Sequence, residues 1–379
     1  MRVLHVTLSY SHGGRREAIA GLAHGLNGLG VDSYLCCLDT FGSDPFDRSV
    51  FIDSLSLDRR RLFDWKALLR LRRYCRDHAI DVLHAHDAAS EATCALAMPD
   101  TRAPLLMSFH RTRNFESARF RDRLRNALVG LRLGAVVTAS RERQQHYIDS
   151  NYVRAAKVAC IPLGIDLARF RPDLAARQRT RAELGLSDDQ LLVGAVGHFG
   201  PEKGIDLAIE AFQLYLQANP ESAMHLVVLG RGDPDHEEVV RAKVDPAWSH
   251  RIIFAGFQRD PERWFPAFDV LLHGAREEAF GLVLAEAQAC GVPVVAAAVG
   301  GIPDVVADGD TGRLSATATA QGLLHALADV VDDETRRKAM SQRAIERAHR
   351  AFSQARYASD YLEVYRSLLP SAARTSATP

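Results

Sequence analysis

DVLLHGAREEAFGLVLAEAQACGVPVVAAA, residues 269–298, holds a complete structural unit. A short apolar run, Val270 to Leu272, leads into a loop with Gly274. A helical stretch then opens at Gly281, and a second run begins after Gly291-Val292-Pro293. Short apolar runs bounded by turn residues read as buried strands, and a helix between two of them makes the strands parallel. The same alternation extends outward. Ahead of it lie LLVGAVGHF (191–199), a helix over Ile205 to Ala218, MHLVVLG (224–230) and RIIFAGF (251–257). The first half repeats the scheme, with strands predicted at Val3–Leu8, Ser33–Leu38, Val82–Ala85, Leu105–Phe109, Ala135–Ala139 and Lys157–Ile161. Helices are predicted at Glu17–Leu29 and Trp65–His78.

Between the halves, IPLGIDLARFRPD (Ile161 to Asp173) puts proline and glycine where one sheet should end and a linker begin. With 379 residues, 47% hydrophobic and 25% charged, the chain suits two ordinary globular domains. The fold class expected is α/β, with two Rossmann-like doubly wound domains facing each other across a cleft. The divisions expected are an N-terminal domain over 1–165, a C-terminal domain over 166–350, a helix over 351–370 packing back toward the first domain, and a disordered tail over 371–379. In such sheets ligands bind beyond the carboxyl ends of the strands, so the loops there are where chemistry is sought.

Lys and Arg number 47 and so do Asp and Glu, but residues 1–166 hold 24 of the basic residues and 18 of the acidic ones. A basic surface on the first half, or scattered solvated charge, would each give that asymmetry. Nucleic-acid binding is not supported by a neutral chain without a binding motif. The six cysteines form no CxxC pair and no zinc spacing, so reduced structural thiols are expected. The start, MRVLHVTLSYSHGG, reads as a first strand rather than a targeting segment, and no run of 18 apolar residues occurs, so a cytoplasmic location is expected.

Two carboxylates stand out in the deciding stretch. Glu278 lies in the loop before Phe280-Gly281, and Glu286 lies on the second turn of the helix that Gly281 opens. A helix start aims free N–H groups and a partial positive charge at the loop, which suits a diphosphate. Glu286 is placed to accept hydrogen bonds from ribose hydroxyls and Glu278 to face a sugar. Glutamates are also favoured near helix starts for their own sake, so the pair alone leaves both readings open.

EEAFGLVLAEAQACGVPVV resembles the E-x7-E motif of retaining glycosyltransferases of the GT-B fold, more specifically glycosyltransferase family 4. The resemblance runs along nearly the whole chain, through Gly13-Gly14, DVLHAHD (Asp81–Asp87), SFH (Ser108–His110), VGHFGPEKGID (Val196–Asp206), AGFQRD (Ala255–Asp260) and VGGIPDVVADGDTGRL (Val299–Leu314). The last of these matches the glycine-led helix following the last core strand. The resemblance implies a sugar transfer with retention, in which the donor's own phosphate oxygen accepts the acceptor's proton. His110, Glu278 and Lys203 would be the catalytic residues. Gly13, Gly14, His198, Lys203, Glu278, Phe280, Gly281, Leu282 and Glu286 would bind the donor.

His198 stands where the family carries an arginine, Asp304 where it has a glutamate and Ala275 where a serine is common. Arg231 and Arg276 read either as substitutes for that arginine at the diphosphate or as surface residues. No cofactor and no metal are implied, for no DxD cluster stands at a strand end, and Asp308-Gly309-Asp310 reads as a turn. The partners implied are a UDP- or GDP-sugar and a saccharide or lipid-linked acceptor, in cell-surface polysaccharide or glycolipid synthesis. The arginines from Arg111 to Arg132, interleaved with Phe and Leu, read either as a peripheral contact with anionic membrane or as one solvated helix face. A nucleotide-sugar epimerase of the same fold and a non-catalytic nucleotide-sugar-binding subunit are the rival readings.

Overall fold

The structure is a computed structural model, and it describes residues 1–11, 13–39, 41, 49–59, 64–97, 103–109, 130–150 and 153–370. The chain divides into two compact units, Met1–Gly164 with the segment from Gln354 onward, and Ile165–Ser353.

The first unit is built on seven parallel strands, β1 (Arg2–Thr7), β2 (Asp32–Cys37), β3 (Ser54–Ser56), β4 (Val82–Ala85), β5 (Leu105–Phe109), β6 (Leu133–Thr138) and β7 (Val158–Cys160), in the order β3-β2-β1-β4-β5-β6-β7. Burial of whole strands on both faces explains their continuous apolar runs. The short strand β3 was not predicted. Its sequence, Ser-Leu-Ser, is half-buried at the sheet edge and too short to show a period. The six cysteines are not joined in disulfides, and burial pushes the thiols of Cys36 and Cys94 well above their ordinary range, as suits structural thiols.

The helix Gln354–Leu368 belongs to this first unit. It packs on the helix Gly14–Asn27 at Gly21 and Gly25, where a Cβ on Gly25 would lie 2.7 Å from that of Ala358. It also carries tyrosines into a buried polar layer. Tyr365 Oη meets His84 Nδ1 at 2.7 Å, His84 Nε2 meets Ser108 Oγ at 2.6 Å, and Ser108 Oγ meets Tyr361 Oη at 2.6 Å. His5 Nδ1 lies 3.1 Å from His86 Nε2 beside them. The trio His5, His84 and His86 brings ligand-type nitrogens within 4.8 Å of one another, a grouping the sequence reading did not make. Each nitrogen of His84 faces a hydroxyl, so the trio is part of a hydrogen-bonded layer and not an open ligand set. Burial lowers the pKa of His5 to about 3, which keeps that imidazole neutral.

The second unit carries six parallel strands, β8 (Leu192–Val196), β9 (His225–Leu229), β10 (Ile252–Gly256), β11 (Val270–His273), β12 (Val294–Ala297) and β13 (Gly312–Ser315), in the order β10-β9-β8-β11-β12-β13. VPVVAAA is therefore not the last strand. The stretch Val299–Leu314 holds a single-turn helix, Ile302–Val305, and then reverses so that β13 pairs with β12. The reversal has a local cause. Gly309 adopts φ +74°, and the Asp308 carboxylate accepts the Leu314 N–H at 2.9 Å, so chemistry suited to a turn wins over helix continuation. The turn at Asp308–Asp310 is as the sequence suggests.

Tyr365→Phe removes the hydroxyl that meets His84 inside the fold and should lower the stability of the first unit by about 1–3 kcal/mol. Urea unfolding of the two variants should show a smaller loss for Tyr361→Phe, since His84 keeps both of its own hydroxyl partners.

Candidate active site

The carboxyl ends of β8, β11 and β12 gather three loops in the second unit, and glycine decides how closely. Gly204 follows β8 at φ +58°, and a Cβ there would stand 1.8 Å from the Gly274 carbonyl oxygen after β11. A Cβ on Gly274 would in turn stand 2.1 Å from the oxygen of Gly204. The two loops touch main chain to main chain, which no side chain at either position would allow. Arg276 fastens the contact. Its N–H donates to Glu202 O at 2.8 Å, Nη1 to Pro201 O at 2.9 Å, and its guanidinium takes the Asp206 carboxylate in a fork at 2.9 and 2.7 Å. Burial alone would raise the Asp206 pKa, and Arg276 together with backbone N–H groups turns the shift downward. Arg276 is thus a clamp between loops, already committed to a carboxylate.

The clamp brings Lys203 to Glu278, Nζ to Oε2 at 2.7 Å. The third loop closes from behind. Gly301 N–H donates to Glu278 O at 2.9 Å, and Cβ atoms on Gly300 and Gly301 would stand 2.0 Å from Glu278 O and 2.4 Å from Ala279 O. Glu278 is 7% exposed. Burial pushes its pKa upward, but His273 at 3.4 Å and Lys203 outweigh that and hold it at about 2. At 3.4 Å the His273 contact is attraction at close range rather than a well-formed hydrogen bond.

Gly281, at φ +95°, then starts the helix Leu282–Ala289. Phe280 is buried against the ring of Phe352, with centroids 5.8 Å apart, and seats the helix start. Leu282 is half-buried on the first turn, and Glu286 is half-buried on the second. His198 is exposed two residues beyond β8, with Asp233 among its electrostatic neighbours. The Arg231 guanidinium lies 4.7 Å over the ring of Phe257. The structure thus joins Glu278 to Lys203 directly, while His198 stands apart on the surface.

In the first unit, Gly13 and Gly14 are exposed where the first helix begins, and Gly13 takes φ +134°. Asp87, just beyond β4, organises this end. Its carboxylate accepts the Leu8 N–H at 2.6 Å and the Ser90 N–H at 2.9 Å, and Arg15 lies 3.6 Å away. β5 ends at Phe109. His110 and Arg111 to Asn126 and beyond, to residue 129, lie outside the described residues.

A sequence model of the family described as Glycosyltransferase Family 4 matches residues 12–169, and one described as Glycosyl transferases group 1 matches residues 176–347. The D-inositol 3-phosphate glycosyltransferase of Kribbella flavida is 30% identical over 301 residues, 75% of this chain and 70% of that protein. That of Stackebrandtia nassauensis is 32% identical over 308 residues, 75% of this chain and 68% of that protein. The chain belongs to glycosyltransferase family 4. As a glycosyltransferase it also has the family's GT-B fold. Anabaena Alr3699/HepE, solved with UDP and glucose, superposes with a TM-score of 0.83 at 20% identity over 96% of this chain and 99% of that one. Sucrose-phosphate synthase from Thermosynechococcus elongatus superposes at 0.81 with 21% identity, over 97% and 98%.

In this glycosyltransferase His273 has no part in the sequence reading, although it lies within the deciding stretch. That reading took Arg276 for a surface residue or a phosphate ligand rather than a clamp. A polar residue closing an apolar strand run was the available signal for His273. For Arg276 there was none, because its partner Asp206 is 70 residues away. Among the described residues no helix is long and apolar enough to cross a membrane.

The ion pair sets a pH dependence. The Glu278 carboxyl titrates near 4.5 in its ordinary state and at about 2 in the fold, so between those values the unfolded chain holds more protons and stability falls as pH falls. The linked contribution is roughly 3 kcal/mol at neutral pH and is lost as pH drops through that window. Chemical unfolding of the wild type and Glu278→Gln at several pH values should show their difference narrowing from pH 5 to pH 3. A difference that stays constant would mean that the fold does not hold the charge on Glu278.

Proposed function

We propose that the enzyme transfers a sugar from a UDP-sugar, with retention of anomeric configuration, to a hydroxyl of a saccharide or lipid-linked acceptor in cell-surface polysaccharide or glycolipid synthesis. The observation that carries the reading is the Lys203–Glu278 pair at the mouth of the Gly281 helix. It sets a cation, a helix start and a buried carboxylate within one loop cluster. UDP as the carrier draws support from the solved Anabaena Alr3699/HepE, which holds UDP, UDP and glucose, or UDP-glucose.

In this reading Lys203 and the free N–H groups after Gly281 stabilise the negative charge that builds on the diphosphate as the bond to the anomeric carbon breaks. Glu286 accepts hydrogen bonds from the ribose hydroxyls, and Glu278 from hydroxyls of the sugar. Gly13 and Gly14 let main chain approach a donor phosphate, and His110 orients sugar and phosphate. The acceptor hydroxyl enters on the face the diphosphate leaves, and a phosphate oxygen takes its proton. No protein nucleophile is needed, only charge stabilisation and placement. His198 supplies a second cation when protonated.

Hydrolysis and transfer assays with UDP-glucose, UDP-galactose and UDP-N-acetylglucosamine, against GDP- and ADP-sugars, test the donor. Inositol 3-phosphate belongs among the acceptors tried, since the similar proteins of Kribbella and Stackebrandtia are named for it. The anomeric signal of the product by NMR tests retention, and an inverted product would refute the mechanism. Glu286→Ala should weaken binding of free UDP, at about 1.5–3 kcal/mol for a lost charged hydrogen bond, whereas Glu278→Ala should spare UDP binding and damage turnover. Equal losses of UDP affinity would refute the division of roles.

Lys203→Ala should slow turnover by roughly 10²- to 10³-fold, the scale of removing one preorganised donor. If His198 serves the diphosphate, His198→Arg should keep or raise turnover, since arginine brings a fixed charge and a planar fork of donors. Unchanged turnover in His198→Ala would assign His198 to the surface alone.

A further inference from the structure

Glu278 has two partners, and the proposed reading gives one of them another task. Lys203 Nζ, 2.7 Å from Oε2, is the ammonium assigned to the diphosphate, at the end of a long side chain with many rotamers. The other partner is His273. It is the last residue of β11, which pairs with β8 on one side and β12 on the other, and its side chain is 2% exposed. An imidazole so placed has little room to turn away. Its Nε2 is buried with no hydrogen-bond partner among the described residues, and it lies 3.4 Å from Glu278 Oε2. A buried polar nitrogen without a partner is rare in a folded protein and calls for a physical reason.

The surroundings restrict what remains free in Glu278. The Gly300-Gly301 main chain lies against its carbonyl, with Gly301 N–H donating to it at 2.9 Å. With the main chain held, the carboxylate orientation is the remaining freedom. Lys203 and His273 both approach Oε2, and neither uses Oε1. We propose that His273 is a positioning residue for the donor sugar: it fixes Oε2 of Glu278 from the sheet, so that Oε1 is aimed at the sugar hydroxyls when Lys203 turns to the diphosphate. The contact at 3.4 Å shortens in that step, as Glu278 exchanges its lysine partner for the imidazole N–H. His273 itself touches neither sugar nor nucleotide. The inference rests on the donor reading above.

The test uses the full chain and the UDP-sugar that the wild type hydrolyses fastest among UDP-glucose, UDP-galactose and UDP-N-acetylglucosamine. Calorimetry gives the affinity for UDP alone, and steady-state assays give kcat and KM for the whole donor. His273→Leu should leave UDP affinity within about twofold and lower kcat/KM tenfold or more. His273→Gln, which retains an N–H donor, should recover most of that loss. In a Glu278→Ala background His273→Leu should have no further effect, because the residue it positions is gone.

A merely structural histidine would give a different result. UDP affinity would fall together with activity, Gln would not rescue, and the loss would persist in the Glu278→Ala background. Any of those three results overturns the proposal. If Glu278→Ala lowers turnover while His273→Leu does not, His273 has no such role and the donor reading stands. If Glu278→Ala turns over like the wild type, or no UDP-sugar is hydrolysed, the donor reading fails and this inference fails with it.

Discussion

Glu278 carries a negative charge in a place where burial opposes it, and the second unit is arranged around that fact. An isolated buried carboxylate would take up a proton and lose its use as a strong hydrogen-bond acceptor. Here an ammonium at 2.7 Å and an imidazole at 3.4 Å outweigh the burial, so the group stays ionised under ordinary conditions. Each partner comes from a different strand end, Lys203 from the loop after β8 and His273 from β11 itself. The charge state of one carboxylate therefore depends on how several elements pack around it.

The glycines follow from that requirement. Gly204 and Gly274 bring two loops into main-chain contact, and Gly300 and Gly301 do the same for a third loop behind Glu278. Gly204 directly follows Lys203, because the loop that delivers a side chain must itself sit close to its neighbour. Arg276 converts the contact into a fixed one by bonding two carbonyl oxygens' worth of loop main chain and the Asp206 carboxylate together. The bidentate geometry makes lysine a poor replacement there.

Most of the strands were legible because parallel strands buried on both faces appear as apolar runs separated by helices. The strands that escaped, β3 and β13, lie at sheet edges, where three or four residues carry no full period and part of the surface meets solvent. The acids of the site were legible because Glu278 and Glu286 lie within one short stretch. What holds Glu278 was not, since Lys203 is 75 residues away from it and only the close approach of two loops joins them. The buried histidine layer was hidden for a similar reason. His84 meets Tyr365 across 281 residues, and nothing local in DVLHAHD shows that a distant helix supplies its hydroxyl.

The fate of the cations bears on how the diphosphate of the proposed reading is neutralised. Lys203 is matched by Glu278 and Arg276 by Asp206, so each pair is already near neutrality. A donor arriving with its diphosphate adds negative charge to a loop cluster whose closest cations have partners. Arg276 cannot serve it without releasing the contact that places Lys203. Lys203 can, because its departure leaves Glu278 beside His273 on the sheet. The helix start at Gly281 contributes partial positive charge without any exchange of partners, since its first N–H groups have no carbonyl within the helix to bond. A site of this kind stabilises the leaving group by redistributing charge among fixed groups rather than by accumulating free cations. That asks for rigidity in the loops and freedom in one lysine.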